Sequence, residues 1–373
     1  MKILTTHVGS LPGPPDFDPV APHTDQDLRR SVQWVVERQR STGLDIINEG
    51  ELTKGGDWLA FMDQRLGGFE DRPTPARGSV IGAGKDRETF AEFYRYASER
   101  QTLFFTPDKR MTPVRRQLAC TSPITYAGTA ALEREISMLR SVVQNPHDCF
   151  LTSTAPSSLE PYRSNEFYNT PEEFVEALAE ALRVEYEAIV NAGFQVQIDD
   201  AWLVALWDRI GITMGLQAFK RYCMLRVEAL NHALRNIPVD HVRYHLCWGS
   251  WHGPHAFDLP LASIVDVMLS VRARFYSFEA ANVRHEHEYA LWETVKLPAG
   301  KVIMPGVVTH STDLIEHPEL VAERIRRFAR LVGPENVIAS TDCGFGGRTH
   351  PQIAWAKLRS LCEGAASASR ALS

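Results

Sequence analysis

Cys149-Phe150-Leu151-Thr152-Ser153, then Thr170-Pro171-Glu172-Glu173 opening a helix that runs to about Asn191 and stops at Gly193, then Gln195-Val196-Gln197-Ile198, read in turn as strand, helix and strand. Thr170 has the chemistry of an N-cap, Pro171 suits the first helical position, and Glu173 completes a capping box. The flanking runs are short, apolar and bounded by Gly or polar residues, as buried strands are. Strand and helix alternating in this way predict a parallel sheet.

The same alternation extends in both directions. Strands are expected near Ile3 to Val8, Asp45 to Asn48, Arg243 to Leu246, Tyr276 to Phe278, Val302 to Val308 and Val337 to Ser340, and a helix from Pro318 to Leu331 places Leu320, Val321, Ile325, Phe328 and Leu331 on one face. With the first pair, these strands fit a closed α/β (β/α)8 TIM barrel over residues 1–373, a length usual for such barrels when they carry insertions. The stretch from Leu52 to His147 is too long for one crossover helix and contains Lys54-Gly55-Gly56 and the Gly/Pro-rich segment Gly67 to Gly84. It reads as a long insertion between strands 2 and 3, either a lid or substrate wall or an inert extension.

Composition narrows the class of function. A 44% hydrophobic and 23% charged chain is that of an ordinary globular protein with a large core, and a net charge of -6 without a basic cluster argues against a nucleic-acid partner. Without a basic leader followed by an apolar stretch, or any membrane-length apolar run, a cytoplasmic protein with no membrane partner is expected. The six cysteines are scattered, which fits reduced thiols better than a disulfide framework.

In such barrels chemistry occurs where strands end at the C-terminal face. The fifth strand ends in His245-Leu246-Cys247, whose period of two turns His245 and Cys247 to one side, the sixth ends at Glu279, and the eighth ends in Thr341-Asp342-Cys343-Gly344. One imidazole, two thiolates and a carboxylate form a soft donor set that favours Zn2+ over magnesium or calcium. Taken singly, each cysteine reads better as a small core residue and His245 as a satisfied buried histidine. Their coincidence at three strand ends favours metal. Zinc would hold an incoming small thiol as a thiolate, ready for S-alkylation.

Other strand-end groups carry paired readings. His310 closes the seventh strand as a general acid or a loop histidine, while Asp199 and Asp200, and Glu49 and Glu51, either bind the ammonium of an amino-acid substrate or cap loops. His252, His255, His285 and His287 look like a second metal cluster but read better as pocket lining, as partners orienting metal ligands, or as polar loop residues. Gly344-Phe345-Gly346-Gly347-Arg348 is either an anion cradle or a turn.

Thr5-Thr6-His7-Val8-Gly9-Ser10, Gly43-Leu44-Asp45 through Gly50-Glu51, Ile198-Asp199, His245-Leu246-Cys247, Phe278-Glu279, His310-Ser311 and Asp342-Cys343-Gly344 occur in an order that resembles the catalytic barrel of the cobalamin-independent methionine synthase family. The resemblance implies zinc held by His245, Cys247, Glu279 and Cys343. It implies that Ser10, Glu51 and Asp199 contact an amino-acid thiol such as homocysteine, that His310 serves in proton transfer, and that a methyl donor is the second partner. The sequence departs from the family at Asp200, where glutamate is common, and in Trp248-Gly249-Ser250-Trp251-His252-Gly253-Pro254-His255. Nothing in it corresponds to the additional N-terminal barrel of full-length plant and bacterial enzymes. It also resembles a short single-barrel relative, epoxyalkane:coenzyme M transferase, which implies thiol alkylation by an epoxide as the alternative to methyl transfer. A barrel that binds a small molecule without catalysis is the rival from another class.

Overall fold

In a computed structural model that describes residues 1–72, 82–103 and 116–372, the strands are Leu4–Thr5 (β1), Leu66–Arg72 (β2), Gln117–Tyr126 (β3), Phe150–Thr154 (β4), Arg163–Asn165 (β5), Gln195–Asp200 (β6), Val242–Leu246 (β7), Phe275–Phe278 (β8), Val302–Val308 (β9) and Ile338–Thr341 (β10). Seven of the described strands pair in the order β1-β10-β9-β8-β7-β6-β4, each neighbour parallel. The gap between β1 and β4 is closed by residues 45–48. The N–H of Ile46 donates to Thr5 O at 3.0 Å, that of Phe150 donates to Ile47 O at 3.0 Å, and Ile47 forms a single parallel bridge to Cys149. The expected barrel is therefore present, with its second strand reduced to a short stitch.

Burial explains the strand sequences. β4, β7, β9 and β10 are buried at every position, as strands covered on both faces must be. The interior is nonetheless polar in part. Arg243 lies wholly buried inside the barrel, donating to Gln197 Oε1 at 3.1 Å, Thr6 Oγ1 at 3.1 Å and His7 O at 2.9 Å, with its guanidinium 3.7 Å from the centre of the Phe150 ring. These three acceptors satisfy a cation whose pKa burial lowers to about 9. The register then sets Asp199 opposite His245 and His245 opposite Ser277, so side chains from three strands meet one step above this plug.

The helix Pro171–Asn191 forms as its sequence dictates. Thr170 Oγ1 accepts from the Glu173 N–H at 3.1 Å, and Glu173 Oε2 accepts from the Asn169 N–H at 3.0 Å. The helix Pro318–Val332 likewise buries Val321, Ile325 and Phe328. Between the barrel's second and third strands, β2 and β3 pair antiparallel and β3 adds β5 in parallel, giving a small side sheet. The helix Thr129–Arg140 lies within the stretch read as insertion, yet it packs between helices Asp25–Thr42 and Pro171–Asn191, with Arg134 bonded to Asp25 at 2.5 Å. It occupies the place of the barrel's own crossover helix.

Candidate active site

At the C-terminal ends of the strands lies a cavity of about 1180 Å³ whose wall includes Ser10, Glu51, Asp199, His245, Cys247, Cys343 and Arg348. Among the described residues, His245, Cys247 and Cys343 form the one cluster of potential metal ligands, their donor atoms all within 4.8 Å of one another. The fold brings them together from the end of β7, the residue just after it and the loop after β10. His245 Nδ1 is 3.2 Å from Ser277 Oγ, and its buried Nε2 has no hydrogen-bond partner. An imidazole held through one nitrogen, with the other unsatisfied among soft donors, is what a metal ligand requires. Hydrogen bonding from the neighbouring Cys247 thiol, aided by the charge of Arg348, holds Cys343 well below the usual thiol range, while Cys247 is pushed well above it. The donor set fits zinc.

Glu279 stands beside this trio. Its Oε1 is 3.5 Å from Cys247 Sγ and accepts the Trp248 N–H at 3.0 Å, while Oε2 accepts from Asn282 at 2.6 Å. Burial pushes its pKa up to about 7. Asp342, which sequence reasoning passed over, ties this corner together: Oδ1 accepts the N–H groups of Ala280 at 2.7 Å and Ala281 at 2.9 Å, joining the loop after β8 to the end of β10. Only its place next to Cys343 hinted at that role.

Glu51 and Asp199 face the same cavity. Glu51 has a left-handed backbone (φ 58°) after Gly50 (φ 73°), a strained turn that brings its carboxylate back over the barrel, where Thr152 Oγ1 donates to it at 2.9 Å. A Cβ on Gly9 would collide with that carboxylate, so glycine is needed there. Burial raises the pKa of Glu51 and brings that of Asp199 to about 7, the second further raised by the first. Gln197, unremarked in the sequence, donates to Asp199 Oδ1 at 2.8 Å. Ser10 enters the wall because its carbonyl accepts from Phe345 N at 2.8 Å and Gly346 N at 3.1 Å, and side chains at Gly344 or Gly346 would strike it. The glycine-rich loop is therefore a close-packing device, from which Arg348 reaches Ser250 and lines the cavity.

The remaining candidates separate. His310 is buried and does not line the cavity, and burial lowers its pKa to about 3. Asp200 points to the barrel's outer layer, accepting from Ser157 at 2.7 Å, Ser158 at 3.0 Å and Tyr244 at 2.9 Å. Glu49 is fully buried behind the wall. His255 and His285 both bond to Asp258, at 3.0 and 3.2 Å, and His287 is exposed, so these histidines do not form a second metal cluster.

Residues 164–367 match the family model described as cobalamin-independent synthase, catalytic domain. The chain belongs to this family. The matched region contains Asp199, His245, Cys247, Glu279, His310 and Cys343. A methionine synthase of Saccharolobus solfataricus is 26% identical over 372 residues, covering 96% of this chain and 93% of that protein, and so reaches beyond the matched region to Glu51. A methionine synthase of Thermococcus kodakarensis is 24% identical over 212 residues, 57% of this chain and 54% of its own length. The fold is that of a B12-independent methionine synthase from Shewanella sp. W3-18-1, solved in complex with selenomethionine, with a TM-score of 0.74 at 17% identity over 100% of this chain and 99% of that one.

Proposed function

We propose that this family member transfers a methyl group to the sulfur of a small amino-acid thiol, homocysteine or a close relative, using zinc held by His245, Cys247 and Cys343 with Glu279 beside them. The observation that carries the reading is the buried trio of soft donors on the wall of a large cavity, one of them with an unsatisfied ring nitrogen. Zinc bound there would lower the pKa of a substrate thiol and keep it nucleophilic at neutral pH.

The chain's own groups do the rest. Ser277 orients the His245 ring so that Nε2 faces the sulfurs. Glu51 and Asp199, both reluctant to ionise when the cavity holds only water, regain their charges around the ammonium of the thiol substrate. Ser10 borders the space for the substrate's carboxylate. His310, neutral at pH 7 and set behind the cavity wall, would act only at a remove, passing the proton that the thiol releases toward the departing group by taking one at one ring nitrogen as it gives one up from the other. Holding thiol and donor in line in a dry site supplies the remaining acceleration.

The same acidic pair weighs against coenzyme M, whose sulfonate would meet carboxylates where homocysteine offers an ammonium. Zinc-edge X-ray absorption tests this directly. The expected result is near-stoichiometric zinc that gains one sulfur neighbour with homocysteine and none with coenzyme M. Gain with coenzyme M alone would transfer the reading to epoxide opening; no zinc, or no change with either thiol, would end it. Steady-state assay with homocysteine and 5-methyltetrahydropteroylglutamate, as mono- and triglutamate, then tests the donor.

A further inference from the structure

Residues 82–103 belong to the long insertion, remote in sequence from every candidate ligand, yet they are bonded to the loop that follows Cys247. The Asp86 carboxylate is 3% exposed and fully engaged: Oδ2 accepts from Tyr94 OH at 2.6 Å and Oδ1 accepts the Ala256 N–H at 2.9 Å. Tyr94 OH in turn accepts the indole N–H of Trp251 at 3.1 Å, and Leu103 O accepts the His252 N–H at 2.7 Å. The Asp86 N–H donates to Asp208 Oδ1 at 2.9 Å, beside Arg209, whose guanidinium lies 4.9 Å from the Trp202 ring centre and 5.1 Å from that of Trp251. A side chain on Gly84 (φ 130°) would run into Asp208 and Arg209, so the insertion meets the barrel at backbone distance.

The loop itself is wound on Trp251. Side chains at Gly249 or Gly253 would penetrate its ring, and His255 stacks on it at 4.2 Å in a left-handed conformation (φ 52°) costly for a non-glycine residue. At its other end, the Gly249 N–H donates to Cys247 Sγ at 3.2 Å. Trp251, Arg209 and Arg87 all line the cavity. Tyr94, held by Asp86, receives the one hydrogen bond that the Trp251 indole makes.

We infer that Asp86 and Tyr94 are positioning residues, through which the insertion fixes Trp251 and the 248–256 loop and so shapes the part of the chamber wall, lined by Trp251, Arg209 and Arg87, that the amino-acid site at Ser10, Glu51 and Asp199 leaves to the methyl donor. The inference rests on the methyl-transfer reading for its kinetic consequence alone. Tyr94→Phe removes one oxygen and should leave the fold and metal content intact; Asp86→Asn keeps the shape but cannot accept at both oxygens. In both, on full-length zinc-loaded protein, amide exchange across 248–256 should speed up about tenfold while that of β7 and β10 stays unchanged. With 5-methyltetrahydropteroylglutamate as donor, its KM should rise about tenfold, with kcat and the homocysteine KM within about threefold of wild type. Unchanged exchange in both variants overturns the inference. Faster exchange with an unaltered donor KM overturns it too, because a merely structural tether would loosen the loop and lower the Tm without moving KM. Should the wild type transfer no methyl group, the proposed function falls, and exchange alone decides whether the insertion holds the loop.

Discussion

Two buried polar clusters flank the barrel's mouth, and they differ in how their groups are satisfied. On the side where the chain leaves the barrel after residue 48, Arg65 bonds Glu135 at 2.6 Å and Glu185 at 2.9 Å, Lys54 pairs with Glu135 at 3.2 Å, and Ser153 donates to Glu185 at 2.7 Å. Opposite charges close on one another there and leave no place for a ligand. Across the mouth, two thiols and an imidazole converge with no hydrogen bond from a lysine or arginine among the described residues, and the ring nitrogen between them is unpaired. Burial is common to both clusters. What marks the second as a site is that soft donors face one another there and one of them, the buried His245 Nε2, has no hydrogen-bond partner.

The comparison breaks most visibly if the second cluster is disarmed. Cys343→Ala should abolish methyl transfer by roughly a thousandfold or more and remove bound zinc, with little change in unfolding of the metal-free protein; retained zinc with retained turnover would remove Cys343 from the site. Arg65→Met should do the reverse, costing about 3–5 kcal/mol in urea unfolding because buried Glu185 loses its cation and Glu135 keeps only Lys54, and a loss under about 1 kcal/mol would show that the first cluster does not carry its side of the barrel.

Glu49 sharpens the contrast, since it is the member of the first region whose two oxygens have no partner. Desolvation, against the pull of Lys54, pushes its pKa up to about 8 from an ordinary 4.5. A raised native pKa means that the folded state binds the proton more tightly, so the stability linked to Glu49 is complete below pH 4.5 and drains away as pH rises to 8. Glu49→Gln should therefore match wild type near pH 4.5 and exceed it by up to roughly 5 kcal/mol near pH 8.5; parallel stability curves for the two proteins would contradict this. The smallest effect is expected from Ser277→Ala, which frees the His245 ring and should weaken zinc affinity roughly tenfold in a chelator competition while the fold stays intact. Unaltered affinity would mean that the ring is held by packing alone.

Much of this was legible in the sequence because it is local. Short apolar runs bounded by Gly or polar residues marked the barrel strands, Thr170 and Glu173 marked a helix start, and His245 with Cys247 share a face by simple alternation. The meeting of Cys343 with them followed from barrel closure, which places strand ends in a ring. The features missed are those decided by contacts between distant segments. Nothing near Arg243 announces that it fills the barrel, because its acceptors come from residues 6, 7 and 197. The side sheet pairs β2 with β3 across some fifty residues of chain, and the helix Thr129–Arg140 was counted with the insertion because its amphipathic pattern does not reveal which neighbours it packs between. Tyr94 and Trp251 likewise carry no sequence signal for one another.

The stitch at residues 45–48 has a wider meaning. Where neighbouring strands are joined by full ladders, extra chain would have to tear hydrogen bonds to enter; here a single bridge and a few flanking bonds hold the wall. A barrel so loosely sewn at one seam can grow outward from it at small thermodynamic penalty, since lengthening a loop adds closure entropy only slowly. The long excursion that returns to grip Trp251 emerges from that seam, so the weakest join in the wall is also the one through which new shape reached the active site.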